Sequence, residues 1–396
     1  MGPGRPAGPL RVPVRSERYA GGVRTRLCLP VHSLSTSFQN FSNLYFIHSL
    51  HTPEGGILGL ALLNATTLAT QGRDGAIRVW ALREDGGLEG GAAPPPLRPG
   101  GTPAPAHAPP APTPLRTLPA DSHSFCPLAV WVPEGWSLGG GGGGASPGGG
   151  QGAEIPASCV AARALALVAG RDGASAVLWD LDAASPLLRL LAPAPPGTTQ
   201  DGGGAGGRGL LMGARFCVPP QAAGGSLSPG HALRAVTAHE DGTLCLWSFP
   251  DHPPPPSAPH AITLTTPLAT LTAHGDAAMS VALAPDGAAG VCGAADDLLS
   301  AFSVSPDGTA LARLGCVRLP TQGVGAVALS VRGLAAAAGW DGATRLVQVE
   351  GTSLLPLLDL PYHAAPGAAA AFSADGAWLA TGGRDGAIAL WDVGGV

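Results

Sequence analysis

The chain has 396 residues, 22 basic against 27 acidic groups, and a net charge of −5. Every basic residue is Arg, which excludes a P-loop phosphate clamp and Schiff-base chemistry, since each needs a lysine amine. The acidic balance without a basic cluster in the repeats argues against direct nucleic-acid binding, and the seven Cys form no CxxC pair and no Cys/His set at metal-ligand spacing.

In chain order, Met1–Leu50 comes first. Arg5–Arg26 carries six Arg against Glu17 alone. It reads as a charge-biased end, with a targeting peptide or a nucleic-acid tail as the alternatives. Met1-Gly2-Pro3 lacks the small hydroxyl of a myristoylation start, because Arg5 and Pro6 stand near that place. LCLPVHSL and NLYFIHSL have short strand-like character, but the segment holds no Asp-Gly turn and no terminal Trp. No 18-residue run is apolar enough to span a bilayer and no secretory h-region is present, so a soluble protein of a reducing compartment, nucleus and/or cytoplasm, is expected.

From residue 51 a turn-and-strand signature recurs six times. The copies are TQGRDGAIRVW (Thr70–Trp80), VAGRDGASAVLW (Val168–Trp179), TAHEDGTLCLW (Thr237–Trp247), CGAADDLLSAF (Cys292–Phe302), AAGWDGATRLV (Ala337–Val347) and TGGRDGAIALW (Thr381–Trp391). Asp-Gly between alternating apolar runs is a hairpin signal, because Gly takes the positive φ the turn needs. In five copies the terminal aromatic or its substitute lies six positions after the turn Asp. The Val168–Trp179 copy has one extra residue, which implies a bulge or a longer turn. The units run roughly from His51 to Leu82, Leu115 to Leu181, Gly209 to Phe249, Ala269 to Val304, Arg313 to Val349 and Leu357 to Val393.

Gly and Pro gather at about 86–114, 139–152, 192–209 and 250–259. Such stretches cannot bury apolar surface and are expected to be disordered loops inserted between strands. Removing them leaves compact β-patterned units. A hairpin repeated at this spacing and ending in Trp indicates an all-β fold, a β-propeller of the WD40 kind. Six blades are recognisable within 51–396. Met1–Leu50 is a degraded first blade of a seven-bladed ring, or that blade is missing.

A His precedes the turn Asp by 22 or 23 residues in three copies. His, hydroxyl, Asp and Trp N–H can then form one hydrogen-bonded chain inside a blade. His51, Thr70, Asp74 and Trp80 make one such tetrad, and His363, Thr381, Asp385 and Trp391 a second. His274, Cys292, Asp296 and Phe302 make a partial one. The set resembles a Ser/His/Asp constellation, but its recurrence in successive blades marks it as structural, and no catalytic, cofactor-binding or metal-binding residue is assigned. The residue before each turn Asp should project onto one rim of the disc, where Arg73, Arg171, Trp340 and Arg384 are candidate partner-binding residues. Bracing of their own turns is the alternative.

The chain resembles the ASTRA-associated protein 1 family, also called the guanine-nucleotide-binding protein β-subunit-like protein 1 family. The resemblance rests on Gly339-Trp340-Asp341 with Ala335–Ala338 and Arg345, on Gln322-Gly323-Val324, and on Thr70–Asp74. Asp121–Cys126, Leu211–Arg215, His239–Gly242 and the closing run Phe372–Trp391 add to it. Met1–Leu50 departs from the family's first repeat. The resemblance implies a non-enzymatic scaffold subunit of the ASTRA complex, linked to chromatin remodelling and to the maturation of phosphatidylinositol-3-kinase-related kinases. A histone-tail reader, or an adaptor in another complex, is the alternative. The expected partners are other proteins of a multi-subunit assembly, with no cofactor, small-molecule substrate, membrane or direct nucleic-acid contact. No coiled-coil heptads of the sort that hold a G-protein γ chain precede the repeats.

Overall fold

The turn glycines set the frame of the molecule. A computed structural model describes residues 14–19, 22–27, 56–82, 113–133, 136–138, 163–194, 207–217, 233–250 and 262–396. Gly75, Gly173, Gly242, Gly342 and Gly386 all sit at positive φ, between 69° and 84°. Each closes a turn by donating its amide to the carbonyl three residues back, as in Gly242 N to His239 O at 3.0 Å. The remaining copy has Asp297 in place of Gly and is absent from the positive-φ set. Every turn Asp also accepts a backbone amide further along, such as Ala76 N on Asp74 and Thr243 N on Asp241. This Asx bond fixes the turn independently of the strands.

The described residues fold into six sheets, antiparallel but for one parallel pair in the second, and one separate hairpin, β1 (Val14–Tyr19) with β2 (Gly22–Leu27). The first blade is β3 (Ile57–Asn64), β4 (Thr67–Gly72), β5 (Ile77–Ala81) and β6 (Arg116–Leu118). The second has β7 (Ala129–Trp131), β8 (Leu165–Ala169), β9 (Ala176–Asp180) and β10 (Ser185–Leu190). The third starts with β11 (Leu211–Cys217), β12 (Arg234–His239) and β13 (Thr243–Ser248). The chain then runs back as β14 (Ile262–Leu264), which pairs parallel to β10 and adds a fifth strand to the second blade. It returns as β15 (Ala269–Thr272), the outer strand of the third. The fourth blade is β16 (Ala278–Leu283), β17 (Ala289–Ala294), β18 (Leu298–Val304) and β19 (Leu311–Arg318). The fifth is β20 (Val324–Leu329), β21 (Leu334–Gly339), β22 (Ala343–Glu350) and β23 (Ser353–Pro361). The last has three described strands, β24 (Gly367–Phe372), β25 (Trp378–Gly383) and β26 (Ile388–Asp392).

The inner strands β3, β7, β11, β16, β20 and β24 touch one another in succession, so the sheets follow each other around an axis as a β-propeller. The core is correspondingly divided. Five apolar clusters lie between successive blades, for example Leu188, Leu211, Trp247 and Phe249 between the second and third. A smaller group, Leu68, Trp80 and Leu82 with Ile57, belongs to the first sheet alone.

One sequence expectation needs correction. The repeat units are offset from the blades by one strand: Arg116–Leu118, Ala269–Thr272, Leu311–Arg318 and Ser353–Pro361 each complete the preceding sheet. Sequence periodicity marks the unit but not which sheet its first strand joins. Beyond the 250–259 stretch, β14 covers the outer edge of the second blade, a pairing that the repeat pattern does not announce. Of the four low-complexity stretches, only 113–114, 192–194, 207–209 and 250 fall among the described residues, and of Met1–Leu50 only 14–19 and 22–27.

Candidate functional site: the blade tetrads and the turn rim

The tetrad expected in the last blade is present as a connected chain. His363 stands just after β23, so the chain entering the blade brings it to β25. Its Nε2 lies 3.0 Å from Thr381 Oγ1 and its Nδ1 3.3 Å from Asp385 Oδ1. Trp391 Nε1 donates to Thr381 Oγ1 at 3.1 Å. Asp385 also accepts the Ala364 and Ala387 amides at 2.8 and 3.0 Å. Burial alone would raise the Asp385 carboxyl, but these two amides and His363 outweigh it and hold it below the usual carboxylate range.

In the first blade Trp80 Nε1 donates to Thr70 Oγ1 at 2.8 Å, and Asp74 is ion-paired to Arg78 at 2.7 Å. His51 lies outside the described residues. The fourth blade departs from the side-chain set expected for it. His274 Nδ1 meets Asp296 at 3.0 Å, but its Nε2 meets the Cys292 carbonyl at 3.1 Å, not the thiol. Burial pushes the Cys292 thiol above its ordinary value, and Phe302 has no N–H to donate.

The third blade holds a chain that the spacing rule overlooks. Thr237 Oγ1 accepts Trp247 Nε1 at 2.9 Å and lies 2.9 Å from His239 Nε2. This His comes from β12 itself, two residues after Thr237, and so carries no long-range spacing signal. Asp241, left without that His, pairs with Arg208 at 3.0 Å. Arg serves the same purpose elsewhere: Arg345 grips Asp341, and Arg189 pairs with Asp172. The visible signal is D-G-x-x-R, with Arg four residues after Asp at Arg78 and Arg345.

The rim residues share one backbone device. The residue before the turn Asp donates its amide to the carbonyl just before its own inner strand. The pairs are Arg73 to Gly56 (2.8 Å), and Glu240 to Leu210, Ala295 to Ala277, Trp340 to Gly323 and Arg384 to Pro366, all 2.9 Å. Five side chains are thereby set at the same end of the inner strands. Arg171 lacks this bond, but it is 85% exposed and pairs at 3.3 Å with Asp121, in the loop entering β7. Arg73, Trp340 and Arg384 are exposed as well. Trp340 packs against Gly323, where a Cβ would come within 2.1 Å of its ring.

The loop entering β7 adds residues that sequence reasoning passed over. Gln71 is fully buried and ties this loop to the first blade, donating to Ser122 Oγ and the Cys126 carbonyl and accepting the Leu128 amide. His123 reaches both Asp121 and the Arg73 carbonyl. Phe125, at the tip, is 71% exposed.

Residues 360–392 match the family model described as "WD domain, G-beta repeat". A chain in the "Crystal Structure of Mitotic Checkpoint Complex" is similar in fold, with a TM-score of 0.51 at 13% identity, covering 87% of this chain and 76% of that one. The match runs from the last two residues of β23 through β26 and contains the complete His363–Thr381–Asp385–Trp391 tetrad. The chain therefore carries a WD, G-beta repeat in its last blade and folds as a WD40-type β-propeller.

Proposed function

We propose that this chain is a non-enzymatic scaffold whose turn rim docks other proteins of a multi-subunit assembly. The observation that carries the reading is the common backbone tie of the turn-preceding residues. It sets Arg73, Trp340 and Arg384 at one end of the ring, with Arg171 beside them. Arg and Trp offer broad surface and directional donors, the chemistry enriched at binding hot spots. The tetrads themselves recur from blade to blade and bond to strand backbone and to one another, which suits a structural role better than a reaction centre.

The assembly we assign is the ASTRA complex, by the resemblance of Gly339-Trp340-Asp341, Asp121–Cys126 and Phe372–Trp391 to the ASTRA-associated family. The test is co-purification from cells of the full chain and of the Trp340→Ala/Arg384→Ala double variant, with folding checked by thermal melting. Recovery of ASTRA subunits by the parent, lost in the double variant, is the expected result. Equal recovery by both moves the interface off the rim. Recovery of an unrelated complex removes the ASTRA assignment and leaves the scaffold reading in place.

A further inference from the structure

Among the described residues, the six inner strands that follow one another around the axis carry one charged side chain between them, Arg215 on β11. It lies four residues in from the start of the strand, about 13 Å along the axis at the usual rise per residue. Its Nη1 donates to the Ala214 carbonyl at 2.8 Å, so the guanidinium folds back along its own strand. Among the described residues no carboxylate pairs with it.

Arg215 keeps some exposure, yet it is packed deeply enough that burial lowers its pKa. Cys126 lies near enough to interact, but burial pushes its thiol up to about 12, so it offers no negative charge at neutral pH. The inner strands that contact β11, β7 and β16, carry no charged side chain, and Gly213 on β11 faces Val281 of β16. A cation among such walls is poorly compensated, and its field is weakly screened. For the fold alone, a buried charge without a partner is a cost that an apolar side chain of similar volume avoids.

We infer that Arg215 is an oxyanion-binding site inside the central channel, taking a carboxylate or phosphate through the N–H groups its Ala214 bond leaves free. The guanidinium fork suits both groups, since it can offer two parallel N–H donors to two oxygens. The oxyanion can arrive on an acidic peptide threaded into the channel or as a free small anion. This site is separate from the rim and does not depend on the docking proposed there.

The experiment uses the full chain, with calorimetric titration and thermal melting. The probes are inorganic phosphate, an amidated Gly-Glu-Gly-Glu-Gly peptide, and its Gln-containing counterpart. The expected result is binding of phosphate or of the Glu peptide but not of the Gln peptide. Arg215→Met should weaken that binding about 10- to 100-fold, the worth of a hydrogen bond to a charged group. Arg215→Lys, which keeps the charge but not the fork, should fall between. Arg116→Gln, on the outer strand β6, should bind as the parent does. Phosphate binding alone identifies a small-anion site, whereas Glu-peptide binding identifies an acidic segment as occupant. Arg215→Met that melts no lower than the parent without probe, yet gains no stability from it, supports the site. No binding of either anion by the parent overturns it, and so does equal binding by parent and Arg215→Met, or binding lost only because Arg215→Met is unfolded while Arg215→Lys binds no anion.

Discussion

Val168 occupies on β8 the place that Thr70, Thr237 and Thr381 hold in the first, third and last blades, and the Trp179 indole N–H is left buried without an acceptor. The equivalence is one of register. Val168 pairs with Val177 and Trp179 with Ala166, as Thr70 pairs with Arg78 and Trp80 with Leu68. The extra residue of this copy therefore sits in the turn, where Asp172 accepts the amide of Ser175 three positions on, and the strand ladder is regular. Val168→Thr is nearly isosteric and supplies the missing oxygen. It should stabilise the protein by about 1 kcal/mol, the net worth of a buried hydrogen bond. Urea unfolding should show a higher midpoint at unchanged slope. A lower midpoint would mean that the hydroxyl proton finds no acceptor of its own.

Much of the fold was legible because its punctuation is local. Each Asp-Gly turn declares itself within a few residues, and the Trp that follows is fixed by strand register. The closing tetrad was equally readable, since His363 precedes Asp385 by a spacing shared with His274 and Asp296. What escaped was non-local or substitutive. The pairing of β14 with β10 is decided by which edge lies uncovered in space, and nothing in Ile262–Leu264 names that edge. His239 replaces a distant His from within its own strand, Arg208 takes over its Asp, and the Cys292 carbonyl replaces a hydroxyl. Arg215 reads in sequence as one more strand residue; its isolation emerges only when the six inner strands are seen side by side.

His239 gives the third blade a pH dependence of definite sign. Burial, with Arg208 nearby and Asp241 opposing, brings its pKa down to about 4, against 6.5 for a free imidazole. Its Nδ1 is buried without a partner, so a proton added there gains no acceptor. The unfolded chain takes up that proton first as pH falls. Stability from this group is therefore full above about pH 6.5, is lost progressively from there to about pH 4, and changes no further below. The loss is on the order of 3 kcal/mol. Unfolding free energies across this range should be flatter for His239→Gln than for the parent. Parallel profiles would assign the acid sensitivity to other groups.

Gly323 holds Trp340 on the rim. It lies at φ 88°, a conformation L side chains rarely adopt, and a Cβ there would meet the indole ring at 2.1 Å. Gly323→Ala should cost about 1–3 kcal/mol through backbone strain and displace the indole. The displacement is a separate observable: near-ultraviolet circular dichroism should change in Gly323→Ala. The same spectral change should vanish when Trp340→Phe is the background, while the stability loss persists. Unaltered dichroism in the single variant would mean that the ring does not rest on this glycine.

The turn carboxylates test whether the tetrads hold the blades together. Asp385→Ala removes the acceptor of the Ala364 and Ala387 amides and the partner of His363 Nδ1, whose ring is buried. Leaving such donors unmatched should cost on the order of 1–3 kcal/mol. Asp74→Ala frees the Ala76 amide and strips Arg78 of its ion pair, but Arg78 reaches solvent and can hydrate. Its cost should lie towards the lower end of the same range. Asp385→Asn keeps an acceptor oxygen and should recover part of the loss. Because the two sites are in different blades, the double Ala variant should sum the single costs within about 0.5 kcal/mol. Melting of both Ala variants at the parent temperature would refute the structural role and reopen the question of what the recurring His, hydroxyl and Asp are for.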